Sequence, residues 1–152
     1  MTSPTARLRE LGITLPSVAT PAGSYIPAKR AGGLVFTAGQ VPFVDGALAA
    51  TGKVGAEITP EQAYDLARTC TLNALAAVDG LVGLDAVASV VKVVGFVASA
   101  PGFTGQPGVV NGASELLADV FGEAGRHARS AVGVAELPLG APVEVELVVE
   151  LA

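Results

Sequence analysis

One arginine and a ladder of glutamates are the residues of this chain whose types and spacing most suggest chemistry. In the stretch His127-Ala128-Arg129-Ser130-Ala131-Val132-Gly133, positions 127, 129, 131 and 133 share one face of a strand, because strand side chains alternate with period two. Arg129 then stands among Ala131 and Gly133, small residues that leave space above the sheet. A guanidinium beside such a space suits a carboxylate, which its planar fork meets with two parallel hydrogen bonds. An ion pair with Glu144 or Glu146 on a neighbouring strand would satisfy the same charge. The last segment sets Val143, Val145, Leu147 and Val149 against Glu144, Glu146, Val148 and Glu150. Such a charged face is simply solvated or, beside a cleft, offers a carboxylate that activates water; alternation fits both.

The remaining chemical groups point to packing. His127 is the only histidine and Cys70 the only cysteine. A zinc shell usually recruits several of these, so neither a bound metal nor another cofactor is expected. Cys70 falls on the apolar stripe of a helix, where a thiol is usually an inert small hydrophobe rather than a nucleophile for His127. Gly46 to Val54 superficially suggests a phosphate loop. It fails, because Val54 follows Lys53 where Ser or Thr should hold magnesium and five residues separate Gly46 from Gly52. A turn between strands is the better reading.

The elements that must position these residues can be read from periodicity. Thr5 to Leu11 suits a short helix ended by Gly12, and Pro16 and Pro21 punctuate an extended loop behind it. Tyr25–Lys29 and Leu34–Gln40 read as strands joined at Gly32-Gly33, a hairpin signal. Pro42 to Gly55 is loop-like. Thr59-Pro60-Glu61-Gln62 is a helix start with a capping box. Ala63, Leu66, Ala67, Cys70, Ala74 and Ala77 follow as one apolar stripe, ending near Gly80. Ala86 to Ala98 is β-branched and apolar throughout, as a central strand is. A second helix is predicted from about Pro107 to Glu123, with Val110, Ala113, Leu117, Val120 and Phe121 inward and Gly125 placed to end it. Arg129–Ala135 and Val143–Leu151 are the last strands, joined through Leu137-Pro138-Leu139-Gly140. The order β-β-α-β-α-β-β predicts an α+β fold, one mixed sheet backed by two helices.

Composition narrows the function classes. The 152 residues suit one domain, taken as 1–152 with residues 1–20 as an N-terminal extension. Hydrophobic residues make up 51% and charged ones 15%, a surplus that suits burial against other subunits. No apolar run approaches the roughly 18 residues of a spanning helix, and Arg7, Arg9 and Glu10 near the start do not resemble a signal peptide. A cytoplasmic protein with no membrane partner is expected. Net charge is −5 and the nine basic residues are scattered apart from Arg126 and Arg129. A nucleic-acid partner is therefore not expected.

The run Arg129-Ser130-Ala131-Val132-Gly133-Val134-Ala135-Glu136-Leu137-Pro138, followed by Val143-Glu144-Val145-Glu146, resembles the C-terminal signature of the RidA/YjgF family. There an Arg-Ser/Thr pair opens one strand, Leu-Pro marks the turn and Val-Glu-Ile-Glu opens the last strand. Phe36-Thr37-Ala38-Gly39-Gln40-Val41-Pro42 resembles the family's Ser-Gly-Gln-Ile/Val-Pro segment, and Tyr25 matches its N-terminal tyrosine. The likeness runs from about Ala22 to the end. The first twenty or so residues, Asn111-Gly112-Ala113-Ser114 and Gly125-Arg126-His127-Ala128-Arg129 look like a longer branch of the family.

This resemblance implies a chorismate-mutase-like fold and a homotrimer whose sheets form a barrel, with ligand clefts between subunits. It implies hydrolytic deamination of reactive imines and enamines to 2-oxo acids and ammonia, in a family formerly labelled endoribonuclease L-PSP. Arg129 would hold the carboxylate of a small metabolite, Glu144 would position or activate water, Tyr25 would line the cleft from the hairpin, and Gly39 would shape its floor. Ala38 stands where active members often have Ser, and Ala131 where they often have Cys; both substitutions remove a polar group and enlarge the pocket. A non-catalytic trimer binding a small carboxylate metabolite in a regulatory role is the alternative. RNA cleavage fits poorly with an acidic chain holding one histidine.

Overall fold

The computed structural model describes residues 2–152. Helix α1 (Pro4–Glu10) is capped by the Ser3 side chain, which accepts from the Ala6 N–H, and the chain leaves it through Gly12 at φ +70°. An extended strap follows, and then strands β1 (Ala28–Ala31) and β2 (Leu34–Thr37) form the expected hairpin. The first strand starts later than the sequence suggested. Pro27 has no N–H to give a ladder, and Tyr25 folds back so that its hydroxyl accepts from the Ala22 N–H at 3.2 Å. The loop after β2 contains a small hairpin, β3 (Phe43–Val44) and β4 (Ala47–Leu48). Its Asp45-Gly46 turn has φ of +52° and +82°, so the supposed phosphate-loop glycine is a hairpin turn.

Helix α2 (Pro60–Val82) opens on the predicted capping box: the Gln62 N–H donates to Thr59 Oγ1 at 3.1 Å, and the Thr59 N–H to Gln62 Oε1 at 2.9 Å. It passes through Gly80 and stops at Gly83, whose φ of +79° turns the chain. Strand β5 (Val87–Ala98), helix α3 (Gln106–Phe121), strand β6 (Ala128–Val134) and strand β7 (Val143–Leu151) complete the fold. Gly122, at φ +61°, ends α3 in place of Gly125. Gly125 has a different duty: a Cβ there would stand 2.3 Å from the Leu117 carbonyl oxygen, so only glycine lets the following turn dock on α3.

The five strands lie in the order β1-β2-β7-β5-β6. Strands β5 and β6 run parallel and every other neighbouring pair is antiparallel. Strands β6 and β7 are therefore consecutive in sequence but separated by β5. Both long helices cover one face. The core between sheet and helices includes Val93, Val97, Leu75, Leu116, Leu117 and Leu147. Alanines and Cys70 line the inner side of α2, so the helix sits close. At the crossing, a Cβ on Gly112 would be 2.1 Å from the Tyr64 carbonyl oxygen. Among the described residues no helix or second sheet covers the opposite face, which carries Phe36, Val94, Phe96, Val132 and Val148, with Glu144 and Glu146 among them. Phe36 and Val132 remain 42% and 43% exposed, an apolar surface left open. Among the described residues no helix is long and apolar enough to cross a membrane.

Candidate functional site

Glu144 opens β7 on the face away from the helices. The segment after β2 is fixed against it by a reciprocal bridge: the Gln40 N–H donates to the Val145 carbonyl at 2.9 Å, and the Val145 N–H to the Gln40 carbonyl at 3.0 Å. Asn73 of α2 secures the same segment from behind, its Nδ2 donating to the carbonyls of Val41 and Phe43. These clamps lay Gly39 directly on the glutamate. A Cβ at position 39 would stand 2.6 Å from Glu144 Oε1, so the carboxylate occupies room that only glycine leaves.

A cleft of about 200 Å³ opens over this pair. One wall is the strap, through Ala19, Thr20, Pro21 and Ala22. Tyr25 closes one side, and Pro138 and Leu139 of the β6–β7 connection close another. Glu144 is half-buried, and burial, followed by repulsion from Glu146, pushes its carboxyl above the usual carboxylate range. A carboxyl so placed exchanges a proton with bound water more readily near neutrality than a solvated one. Cys70 lies beneath, fully buried, its thiol raised well above normal by burial, with its Sγ directed to the Val143 carbonyl. It is packing material, as the sequence indicated.

Arg129 is on the other face of the sheet. Its Cα partner across β5 is Val93, a core residue on the helix side, whereas that of Glu144 is Phe96 on the open side. Neither Glu144 nor Glu146 is its ion-pair partner, since β5 stands between their strands. The guanidinium lies on α3 instead. Nη1 donates to Asn111 Oδ1 at 2.8 Å and to Ser114 Oγ at 3.2 Å, and Nη2 donates to the Pro107 carbonyl at 3.3 Å. Residues 107, 111 and 114 form one helical stripe. All three acceptors are neutral, and no described carboxylate lies within salt-bridge distance of Arg129.

The expected residues thus fall into two groups. Glu144, Gly39 and Tyr25 meet in one cleft, although Tyr25 comes from the strap and not from the hairpin strand. Ala38 adjoins Gly39 with its N–H bonded to the Pro27 carbonyl and does not line the cleft. Ala131 packs on the core beside Arg129. The strap and Gln40 were missed. Only Pro16 and Pro21 hinted at an extended segment, and nothing local said where it would lie. Among the described residues no three His, Cys, Asp or Glu side chains gather as a metal shell would require.

Comparison with known proteins decides the family. Residues 5–151 match the family described as "YjgF/chorismate mutase-like, putative endoribonuclease". The chain belongs to that family. Protein TCP17 of Trypanosoma cruzi is 47% identical over 148 residues, covering 96% of this chain and 92% of that protein. Among solved structures, Atu1372 of Agrobacterium tumefaciens superposes with a TM-score of 0.89 at 45% identity, over 96% of this chain and 91% of the other. A protein of Shewanella oneidensis described as a putative endoribonuclease superposes at 0.95 with 34% identity, over 99% and 100%. The superposition on the Shewanella oneidensis protein therefore takes in the strap and α1. The mixed α+β fold is that of the YjgF group.

Proposed function

We propose that this YjgF-family protein hydrolyses reactive imines and enamines bearing a carboxylate, at clefts completed by a neighbouring copy of the chain. The observation that carries the reading is the half-buried Glu144, raised in proton affinity and laid over Gly39 in a small, mostly apolar cleft. An enamine first tautomerises to its imine. Glu144 takes a proton from water as the water oxygen bonds to the imine carbon, and returns it to the nitrogen to give the carbinolamine. It then carries the hydroxyl proton to the nitrogen as C=O forms and the C–N bond breaks, which leaves ammonia and a 2-oxo acid. Arg129, with neutral partners only, supplies the charge that holds the carboxylate. Because Arg129 and Glu144 lie on opposite faces within one chain, the guanidinium at the β6 edge of one subunit serves the Glu144 cleft of the next. A homotrimer that packs the open sheet faces together fits that arrangement and covers Phe36, Val94 and Val132. The acidic charge supports a small-molecule substrate over RNA.

The test is ammonia and 2-oxo acid release from enzymatically generated 2-iminopropionate and bulkier imino acids. Arg129→Ala should lose about ten- to a hundredfold in kcat/KM, since a charge-assisted hydrogen bond is worth about 1.5–3 kcal/mol. Arg129→Lys should recover only part of this, because it lacks the planar fork. Glu144→Gln should lose turnover and keep binding of a 2-oxo acid. If wild type binds the acid and turns nothing over, the chain is a metabolite-binding trimer.

A further inference from the structure

The guanidinium of Arg129 is the end of a hydrogen-bonded chain. His127 Nδ1 lies 2.7 Å from the Gly125 carbonyl oxygen, and Nε2 lies 3.0 Å from Ser114 Oγ. A carbonyl only accepts, so Nδ1 carries a proton. In the neutral ring Nε2 is then an acceptor, and the Ser114 hydroxyl donates to it. With that proton spent, Ser114 turns a lone pair to Arg129 Nη1. Gly125 is buried and pinned on α3 where no side chain fits, so the carbonyl that fixes the tautomer is itself held.

Resting on the carboxylate-binding role proposed for Arg129, we infer that Ser114 and His127 are positioning residues for the guanidinium and couple carboxylate binding to the protonation of His127. In the neutral state Asn111 and Ser114 take both Nη1 protons and the Pro107 carbonyl takes one from Nη2. The Nε–Nη2 edge is left to meet two carboxylate oxygens. When the imidazole gains a proton, Nε2 becomes a donor and Ser114 must accept from it. The serine proton then points away from the ring. A second positive charge also appears one hydroxyl away from the first. That charge favours an anion, so acid strengthens binding, and by linkage a bound carboxylate favours the protonated ring.

The charged groups on the surrounding elements do not compete for His127. Glu115 on α3 is hydrogen-bonded to Tyr64 of α2, and Asp119 lies one turn further along that side. Glu123 and Arg126 on the turn after α3 pair with each other at 3.6 Å. Lys92 of β5 stands opposite Ala128, on the face of the sheet away from His127. Arg129 is the charge that faces it, through Ser114.

His127 is the only histidine, so its ring resonances are unambiguous by NMR. The experiment measures the ring nitrogen shifts, and the affinity of the intact protein for pyruvate between about pH 5 and 8, where histidine changes charge. We expect the Nδ1–H tautomer at high pH and a roughly three- to tenfold tightening of pyruvate binding as pH falls. His127→Gln, whose amide oxygen offers a permanent acceptor to Ser114, should lose most of the pH dependence and keep only what the raised carboxyl of Glu144 in the neighbouring cleft contributes. Ser114→Ala should bind more weakly and lose most of the slope, with its melting temperature nearly unchanged. An Nε2–H tautomer, a wild-type affinity that does not vary with pH, or an unaltered slope in His127→Gln overturns the inference, as does a wild type that binds no pyruvate. Loss of imine turnover alongside intact, pH-linked binding would refute the catalytic reading and leave this one standing.

Discussion

If Glu144 acts as proposed, adding a single methyl group at Gly39 should separate catalysis from stability. Gly39 lies outside the left-handed region, so alanine meets no backbone strain. Its Cβ would stand 2.6 Å from Glu144 Oε1 and 2.8 Å from Cδ, where ordinary contact begins near 3.4 Å. The oxygen must retreat by about 0.8 Å, and it can, being the far end of a flexible side chain opening on a cleft. The stability terms nearly cancel. An off-rotamer glutamate costs about 0.5–1.5 kcal/mol, while replacing glycine lowers the entropy of the unfolded chain and returns about 0.4–1 kcal/mol. A net change within about 1 kcal/mol moves the melting temperature by only about 2–4 °C in a chain of this size. Catalysis has no such compensation: a misplacement of about 1 Å costs on the order of a hundredfold, or about 2.7 kcal/mol in the barrier. Gly39→Ala should therefore melt like wild type and hydrolyse imino acids about a hundredfold more slowly. The imine-hydrolysis assay beside a thermal melt decides it. Wild-type turnover in a well-folded variant would refute the assignment of Glu144. A large loss of stability would show that the glutamate cannot yield and that the reasoning about flexibility is wrong.

Glu144→Gln should change stability with pH in a definite direction. A carboxyl raised by burial favours the folded state while protonated, and that contribution is lost as pH rises above the ordinary value of 4.5 and through the folded one. The variant should gain on wild type in denaturant titrations as pH goes from 4 to 7. Gly112→Ala drives a methyl into the Tyr64 backbone carbonyl, which cannot swing aside. It should lose about 3 kcal/mol or fail to fold, read from urea midpoints. Val132→Glu adds charge to the open sheet face where Val132 is 43% exposed, so the monomer should keep its circular dichroism. Sedimentation equilibrium should show three times the 15.0 kDa chain mass for wild type and a dissociating assembly for the variant.

Local rules located most of the fold. The capping box at Thr59 and the alternating Val143–Leu151 strand occur as read, because each depends on neighbours a few residues away. Errors came where a distant partner decides the outcome. Gly80 looked like a stop, yet nothing there requires a positive φ and the helix runs on to Gly83. Gly125 looked like a helix end, but its missing Cβ serves the docking of a turn on Leu117. The segment between Gly12 and Tyr25 reads only as an extended loop, and its role as a cleft wall is set by where β7 and the segment around Gly39 lie.

The candidate residues could be named from the sequence, but their relative placement could not. Period two correctly put His127, Arg129, Ala131 and Gly133 on one face. The same rule put Glu144 and Glu146 together on another strand. It cannot relate the two faces, because that depends on β5 lying between β6 and β7 and on the registers Val93–Arg129 and Phe96–Glu144. A slip of one residue in either register would reverse the relation. The observed registers send Arg129 toward α3 and Glu144 toward the open face. A carboxylate substrate held by both must then lie where the edge of one sheet meets the open cleft of another. The apolar surplus in the composition fits the proposed arrangement, since a chain that kept half of its site on a neighbour would also need surface to bind that neighbour.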